Sequence, residues 1–312
     1  MYSGRQEALI KPLLDKFTEQ TGVKVNLVTG KGDALISRLQ SEGALTPADL
    51  IIMADAGRLT RANELGLLQS IESDVVKKRV PEAFAADNYN WIALTKRARP
   101  IMYLKGAIDP GEIDSLSDLG DDKYQSEICI RSSSNIYNQS MVASLILLQG
   151  EEKTLDWAKD LVENFARTPK GGDRDQIKAL VAGECKLAVA NTYYLGGMLD
   201  SPDEETRQIA QQVGVIWPDQ DSTGVHINVS GAGITKYAQN KDNAQSLLRF
   251  MLEEQSQQWY AEINHEYPVI DGVKWSDELL SFGEFKAQEV DLEKMGELNG
   301  DALKLMDKAG WR

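Results

Sequence analysis

The sequence predicts an α/β protein of two lobes, and three of its features indicate this. Its 312 residues exceed the comfortable size of one hydrophobic core, so two domains of roughly 150 residues are expected. Short apolar strands alternate with amphipathic helices, which is typical of mostly parallel sheets. Two extended stretches, near residues 91–104 and 221–231, are suited to cross between the lobes. We therefore expect lobes joined by two crossing strands, which close on a ligand as at a hinge.

The predicted elements of the first lobe alternate regularly. Apolar residues recur at helical spacing over residues 8–20, and Gly22 ends that helix. A strand, a second helix, a short buried strand and a third helix follow over residues 23–28, 33–42, 50–53 and 57–65.

The rest of the chain repeats this alternation. Strands are expected over residues 128–130, 187–190, 213–218 and 225–229, and helices over residues 140–148, 155–164, 173–182 and 243–259. Residues 231–235 suit close backbone approach, residues 267–269 are expected in a loop, and two or three helices end the chain. The expected lobes are residues 1–97 plus 226–272 for the N-lobe, and 98–225 plus 273–312 for the C-lobe.

Composition excludes several classes of function. With 42% hydrophobic and 26% charged residues, the chain has the make-up of an ordinary soluble globular protein. Its net charge of −14 argues against nucleic acid and anionic membrane surfaces as partners. No run of about 20 apolar residues is present, so no segment is expected to span a bilayer.

The start of the chain and its cysteines bear on the compartment. No basic and apolar leader precedes Met1, so we expect a cytoplasmic protein or one whose signal peptide was replaced by a start Met. Cys129 and Cys185 belong to no CxxC motif. Their even number is compatible with one disulfide, which would imply an oxidising compartment, and two buried free thiols are the alternative.

Three tyrosines are the candidate metal ligands. The strand at 187–190 leads into Tyr193 and Tyr194, and the pair Gly196 and Gly197 is expected to permit a turn there. Tyr137 lies in a polar loop. A free phenol has a pKa of about 10, so only a strongly Lewis-acidic ion, ferric iron first among them, would ionise it at neutral pH. Tyrosines that are half-buried for packing alone are the other interpretation.

An enzyme and a binding protein for another ligand are the alternatives to a metal-binding protein. Neither His226 nor His265 lies in a GxSxG or HExxH context, and the sequence has no P-loop, so the chain is not expected to be an enzyme. A binding protein of the same architecture for an organic anion or a phosphate ester is the alternative. Arg5 and Arg97 would suit such an anion, and that complex would be colourless.

Seven segments together resemble the periplasmic ferric-iron-binding proteins of bacterial ABC importers, the transferrin-like solute-binding family. They occur in order at residues 2–5 (Tyr-Ser-Gly-Arg), 48–52 (Ala-Asp-Leu-Ile-Ile), 97–99 (Arg-Ala-Arg), 131–137 (Arg-Ser-Ser-Ser-Asn-Ile-Tyr), 171–174 (Gly-Gly-Asp-Arg), 191–194 (Asn-Thr-Tyr-Tyr) and 265–269 (His-Glu-Tyr-Pro-Val). Each motif alone is weak, but the set covers essentially the whole chain.

The resemblance implies a type II periplasmic binding protein, a monomer that holds Fe(III) between its lobes and delivers it to an inner-membrane ABC permease. By motif, the metal ligands would be Tyr137, Tyr193 and Tyr194. Carbonate or bicarbonate would be the synergistic anion, held by Arg5 and Arg97.

The sequence departs from the family pattern near its start. Some members carry a further His, Tyr or Glu ligand, where this chain has Gln6 or Glu7 and, after the third strand, Ala54 or Asp55. Gln6, Glu7 and Asp55 are therefore only possible additional ligands or neighbours of the ligands, and three phenolates plus an exogenous anion are expected. Given the family resemblance, a disulfide between Cys129 and Cys185 is expected to tie together the segments that carry Tyr137 and Tyr193.

Overall fold

The chain passes back and forth between two units in the computed structural model, which describes residues 1–312. The first unit consists of Met1–Lys96, Val229–Trp275 and Asp291–Glu297, and the second of Arg97–Asn228, Ser276–Val290 and Leu298–Arg312. Six segments thus alternate between the units, and the chain passes from one to the other five times.

Eleven strands form two sheets. They are β1 (Tyr2–Ser3), β2 (Val28–Thr29), β3 (Leu50–Ala54), β4 (Leu68–Gln69), β5 (Ile92–Ala98), β6 (Ile101–Leu104), β7 (Ile128–Cys129), β8 (Leu187–Val189), β9 (Val213–Ile216), β10 (Ile227–Thr235) and β11 (Tyr267–Pro268). The first two passages between the units fall within β5 and β10.

Fourteen α-helices accompany these strands, and none of them is long and apolar enough to cross a membrane. They are α1 (Lys11–Thr21), α2 (Gly32–Glu42), α3 (Ala56–Glu64), α4 (Asp74–Arg79), α5 (Ile136–Gln149), α6 (Glu151–Glu163), α7 (Asp173–Val181), α8 (Thr192–Leu199), α9 (Glu204–Gln211), α10 (Lys241–Met251), α11 (Glu254–Ile263), α12 (Asp277–Ser281), α13 (Leu292–Glu297) and α14 (Asn299–Ala309).

The first sheet is mixed, with the strand order β11-β5-β10-β3-β1-β2, and β4 also pairs with β10. Strand β1 runs parallel to β2 and β3, whereas β10 runs antiparallel to β3. Glycine is required in β10, because a Cβ on Gly231 would lie 2.3 Å from the carbonyl oxygen of Ile92. The backbones therefore approach closely at residues 231–235, as the sequence indicated.

The second sheet has the order β7-β8-β6-β9 and is also mixed. Strand β8 runs parallel to β7 and antiparallel to β6. Cys129 of β7 and Cys185 form a disulfide within a buried apolar cluster that includes Ile177, Leu180 and Leu195. The disulfide joins the end of β7 to the residues before β8, and therefore ties together two strands that lead into helices α5 and α8.

Three elements differ from those expected. Residues 267–269 were expected in a loop, but Tyr267 and Pro268 form β11, which pairs with β5. The helix expected over 243–259 is two helices, because the backbone at Glu253 is extended (φ −71°, ψ 149°) and separates α10 from α11. The strand expected over 23–28 is confined to Val28 and Thr29.

The C-terminal part of the chain also divides differently from the expected lobes. Residues 273–312 were assigned whole to the C-lobe, but Asp291–Glu297 belongs to the first unit. The reason is that α13 packs tightly on α3. A Cβ on Gly296 would lie 2.5 Å from the hydroxyl of Thr60.

Candidate metal centre

Three phenols come together within the second unit. Tyr137 lies in the first turn of α5, and Tyr193 and Tyr194 lie in the first turn of α8. The hydroxyl of Tyr193 donates to that of Tyr137 over 3.2 Å. The rings of Tyr193 and Tyr194 have their centroids 4.1 Å apart. The three tyrosines singled out in the sequence are thus neighbours in space.

A helix start, rather than a glycine turn, directs the adjacent tyrosines to one place. Gly196 and Gly197 lie inside α8, so the interpretation of this pair as a turn is wrong. The chain changes from strand to helix at Asn191, whose backbone is extended (φ −73°, ψ 142°). Successive residues of one helical turn point about 100° apart, so two neighbours can contribute to one site.

The phenols favour their protonated form in the absence of a cation. Burial, and then the neighbouring phenols of Tyr137 and Tyr194, raise the pKa of Tyr193 well above its ordinary value, while Arg97 works in the opposite direction. Burial and Tyr137 likewise raise the pKa of Tyr194. At neutral pH these phenols therefore keep their protons unless a strongly Lewis-acidic ion displaces them.

Guanidinium groups of the same unit surround the phenols. Arg97 is buried and lies 4.9 Å from the ring centroid of Tyr137, and Arg131 lies 5.7 Å from the same centroid. Arg174 lies 5.6 Å from the ring centroid of Tyr194. The family resemblance implied a role for Arg97 but none for Arg131, although Arg131 opens the motif that ends at Tyr137. These positive charges would stabilise phenolates and could also bind a further anion.

Arg5 lies in the first unit, and there it already has an anionic partner. Its Nη2 is 2.5 Å from a carboxylate oxygen of Glu266 and 3.2 Å from the hydroxyl of Thr95, which also donates to Glu266. Both charged side chains are buried. The guanidinium of Arg5, which was expected to hold an exogenous anion, is thus paired with Glu266. Glu266 lies in the 265–269 motif, and the sequence indicated no role for it.

The possible additional ligands also lie in the first unit. Gln6 and Glu7 are exposed at the start of a short 3-10 helix. Asp55 is buried and accepts a hydrogen bond from the backbone N–H of Gly57, which caps the start of α3. No group of three or more His, Cys, Asp or Glu side chains in the structure could hold a metal ion, so the tyrosine cluster is the candidate centre.

His226 is a buried base in the second unit. Its Nδ1 lies 3.1 Å from the hydroxyl of Ser144 and 3.4 Å from the amide oxygen of Gln288. Burial, assisted by the charges of Arg99 and Arg97 and opposed by Gln288, lowers the pKa of His226 to about 3. The imidazole is therefore neutral in the folded protein.

This difference predicts a loss of stability in acid. An unfolded histidine titrates near 6.5, so between pH 6.5 and 3 the unfolded chain binds more protons than the folded one. The free energy of unfolding should therefore fall as the pH drops below 6.5, by at most about 1.4 kcal/mol per pH unit from this residue. Denaturant unfolding of the wild type and of His226→Gln at pH 7 and pH 5 measures the effect. An equal loss in both proteins would contradict it.

Comparison with known proteins places the chain in a family. Residues 13–287 match the model of the family described as bacterial extracellular solute-binding protein. The chain therefore belongs to this family of transport proteins, whose members are not enzymes.

Particular relatives are similar over the whole chain. Iron uptake protein A1 of Synechocystis is 46% identical over 312 residues, which are 100% of this chain and 87% of that protein. The Trichodesmium protein IdiA (FutA), solved in complex with iron and citrate, has a TM-score of 0.96 and 44% identity, covering 100% of this chain and 98% of that one. A ferric binding protein from Campylobacter jejuni has a TM-score of 0.95 and 38% identity, covering 100% and 99%. These likenesses confirm the predicted two-lobed α/β fold and the predicted family.

Proposed function

We propose that the phenols of Tyr137, Tyr193 and Tyr194 bind ferric iron as phenolates. The observation that carries this proposal is the 3.2 Å separation of the Tyr137 and Tyr193 hydroxyls, with the ring of Tyr194 beside them. Three phenols that lose their protons supply three negative charges, which balance Fe(III). Hard oxygen anions are the donors that a hard cation prefers. The iron-binding names of the relatives support the choice of metal.

A carbonate or bicarbonate ion completes the proposed site. Three phenolates leave open coordination positions, and a bidentate anion would fill them. Arg97 is the guanidinium we assign to this anion, because it is buried and lies 4.9 Å from the ring of Tyr137. Arg5 was the other candidate, and we assign it instead to its ion pair with Glu266.

Transport follows from capture and release. We propose that the protein works outside the cytoplasm, closes its lobes over the ion and delivers it to the permease of an ABC importer. Acid, reduction or loss of the anion would release the iron, because protonated phenols bind metal poorly and Fe(II) is a weaker match for phenolate.

A visible-absorbance titration tests the proposal. Metal-stripped protein is titrated with a ferric chelate, with and without bicarbonate. We expect a phenolate-to-iron charge-transfer band that grows to one equivalent and needs bicarbonate for full intensity. Absence of the band at every ratio would overturn the proposal and favour a colourless organic anion or phosphate ester as the ligand.

A further inference from the structure

The buried carboxylate of Asp173 accepts hydrogen bonds from three groups, which are two guanidiniums and one backbone N–H. Its Oδ1 accepts from Nη1 of Arg99 over 2.7 Å and from the backbone N–H of Asn191 over 3.0 Å. Its Oδ2 accepts from Nη1 of Arg131 over 2.5 Å. Asp173 is almost wholly buried at the first position of α7. Both oxygens of the carboxylate are therefore used within the protein.

The partners of Asp173 lie beside the tyrosines in the chain. Asn191 precedes Tyr193 by two residues and is the N-cap residue immediately before α8. Arg99 continues the network, because its Nη2 donates to the amide oxygen of Asn138 over 2.6 Å. Asn138 directly follows Tyr137 in α5. The network thus bonds to each tyrosine-bearing segment at a residue that is one or two positions from the tyrosine.

Asn138 also links the network to the backbone of Arg131. Its side-chain amide donates to the backbone carbonyl of Arg131 over 2.8 Å. The backbone of Arg131 is held by Asn138 and its guanidinium by Asp173, which places that guanidinium 5.7 Å from the ring centroid of Tyr137. Arg131 lowers the pKa of Tyr194 and so favours its ionisation, while the charge of Asp173 itself acts in the opposite direction. Asp173 therefore determines where a positive charge stands beside two phenols.

The energetics of this ion cluster indicate that it fixes the positions of side chains more than it stabilises the folded protein. Burial opposes ionisation of Asp173, but Arg99 and Arg131 outweigh it and hold the pKa of the carboxyl below its ordinary value. The carboxylate is thus charged at neutral pH. A buried ion cluster gains little over well-packed apolar residues, because desolvation offsets most of its attraction. What such a cluster does supply is a fixed relative position of its members.

We propose that Asp173 is a positioning residue for the phenol cluster, which holds Arg131 beside Tyr137 and fixes the start of the helix that carries Tyr193 and Tyr194. This inference rests on the proposed function, which supplies the reason for placing the three phenols with accuracy. Asp173 acts through Arg131, Arg99 and Asn191, and it does not bind the ion itself.

The test compares Asp173→Asn with a control in the same helix turn. Asp175→Asn is the control, because the Asp175 side chain is exposed and accepts one local hydrogen bond, from the backbone N–H of Gly172. Partners that orient metal ligands typically change affinity about 10- to 100-fold. We expect a loss of ferric affinity in this range for Asp173→Asn, together with a shifted charge-transfer band, and wild-type behaviour for Asp175→Asn.

A second single variant, Arg131→Gln, keeps the test decisive if Asp173→Asn folds poorly, and the double variant measures the coupling between the two residues if it folds well. Arg131→Gln removes the positioned charge at a side chain that is 21% exposed, so folding should survive. If Asp173 acts through Arg131, the double variant should lose little more affinity than the more affected single variant, whereas independent roles would give additive losses. Wild-type affinity and spectrum in Arg131→Gln, or additive losses in the double variant, would overturn the proposal.

A metal-free measurement separates this inference from the proposed function. Backbone amide chemical shifts of Tyr137, Tyr193 and Tyr194 are recorded in apo wild type, Asp173→Asn and Asp175→Asn. Shifts that move in Asp173→Asn alone support the positioning role even if the wild type gives no iron band. Unchanged shifts at all three tyrosines would overturn it, whatever the wild type binds.

Discussion

Tyr193→Phe is expected to abolish tight ferric binding while the protein stays folded. The change removes one oxygen and leaves the ring that packs on Tyr194, so the apolar contacts persist. The lost hydrogen bond to Tyr137 costs about 1 kcal/mol of stability. Loss of a direct ligand should reduce affinity by more than the roughly 100-fold that loss of a supporting residue can cause. Competition with a chelator of known affinity measures the loss.

The chain offers a matched control for this substitution. The hydroxyl of Tyr124 is buried in the second unit and has no hydrogen-bond partner, so Tyr124→Phe removes the same atom away from the proposed ligands. It should leave iron affinity and the visible band unchanged. Tyr194→Phe should resemble Tyr193→Phe. Wild-type affinity in both ligand variants would refute the assignment.

Loss of the Cys129–Cys185 disulfide is expected to produce the largest change in stability. The bond joins residues 56 positions apart, and closing a loop of that length in the unfolded chain is worth about 4 kcal/mol in the chain-entropy model. The double variant Cys129→Ala/Cys185→Ala should therefore unfold at a markedly lower denaturant concentration. Because a two-unit protein need not unfold in one step, a probe in the second unit is required, and Trp157 is available there.

The single variants separate the bond from the packing of its sulfur atoms. Either Cys→Ala variant removes the disulfide and only one sulfur, so each should lose most of what the double variant loses. A double variant within about 1 kcal/mol of the wild type would show that the bond contributes little beyond packing. Iron affinity should be retained wherever the variant is folded.

The fold class was predictable because its signals are local. Alternating apolar strands and helices, such as those over residues 50–53 and 57–65, depend on neighbours in sequence and appear as β3 and α3. The adjacent tyrosines were noticed for the same reason. What failed was the interpretation of Gly196 and Gly197, because glycine inside a short helix looks in sequence like glycine at a turn.

Electrostatic partners were not predictable, because they are distant in sequence. Glu266 balances Arg5 across 261 positions, and Asp173 meets Arg99 across 74. The periodicity of apolar residues in the sequence carries no information about such ion pairs. The motifs that contain Glu266, Asp173 and Arg131 were noticed as family marks, yet their roles require the three-dimensional arrangement. The three candidate ligands could thus be selected from the sequence, while the ion pairs around them could not.

The central place of β10 in the first sheet has a consequence for how the chain is made. Strand β3 begins at Leu50 and is synthesised early, but its neighbour β10 begins only at Ile227. Until then β3 and β5 both present open strand edges, which are templates for aggregation. The first unit cannot complete its sheet during synthesis of the first half of the chain, and long-range pairing of this kind is slow. A partly made chain therefore leaves these two edges exposed until residues 227–235 have been synthesised.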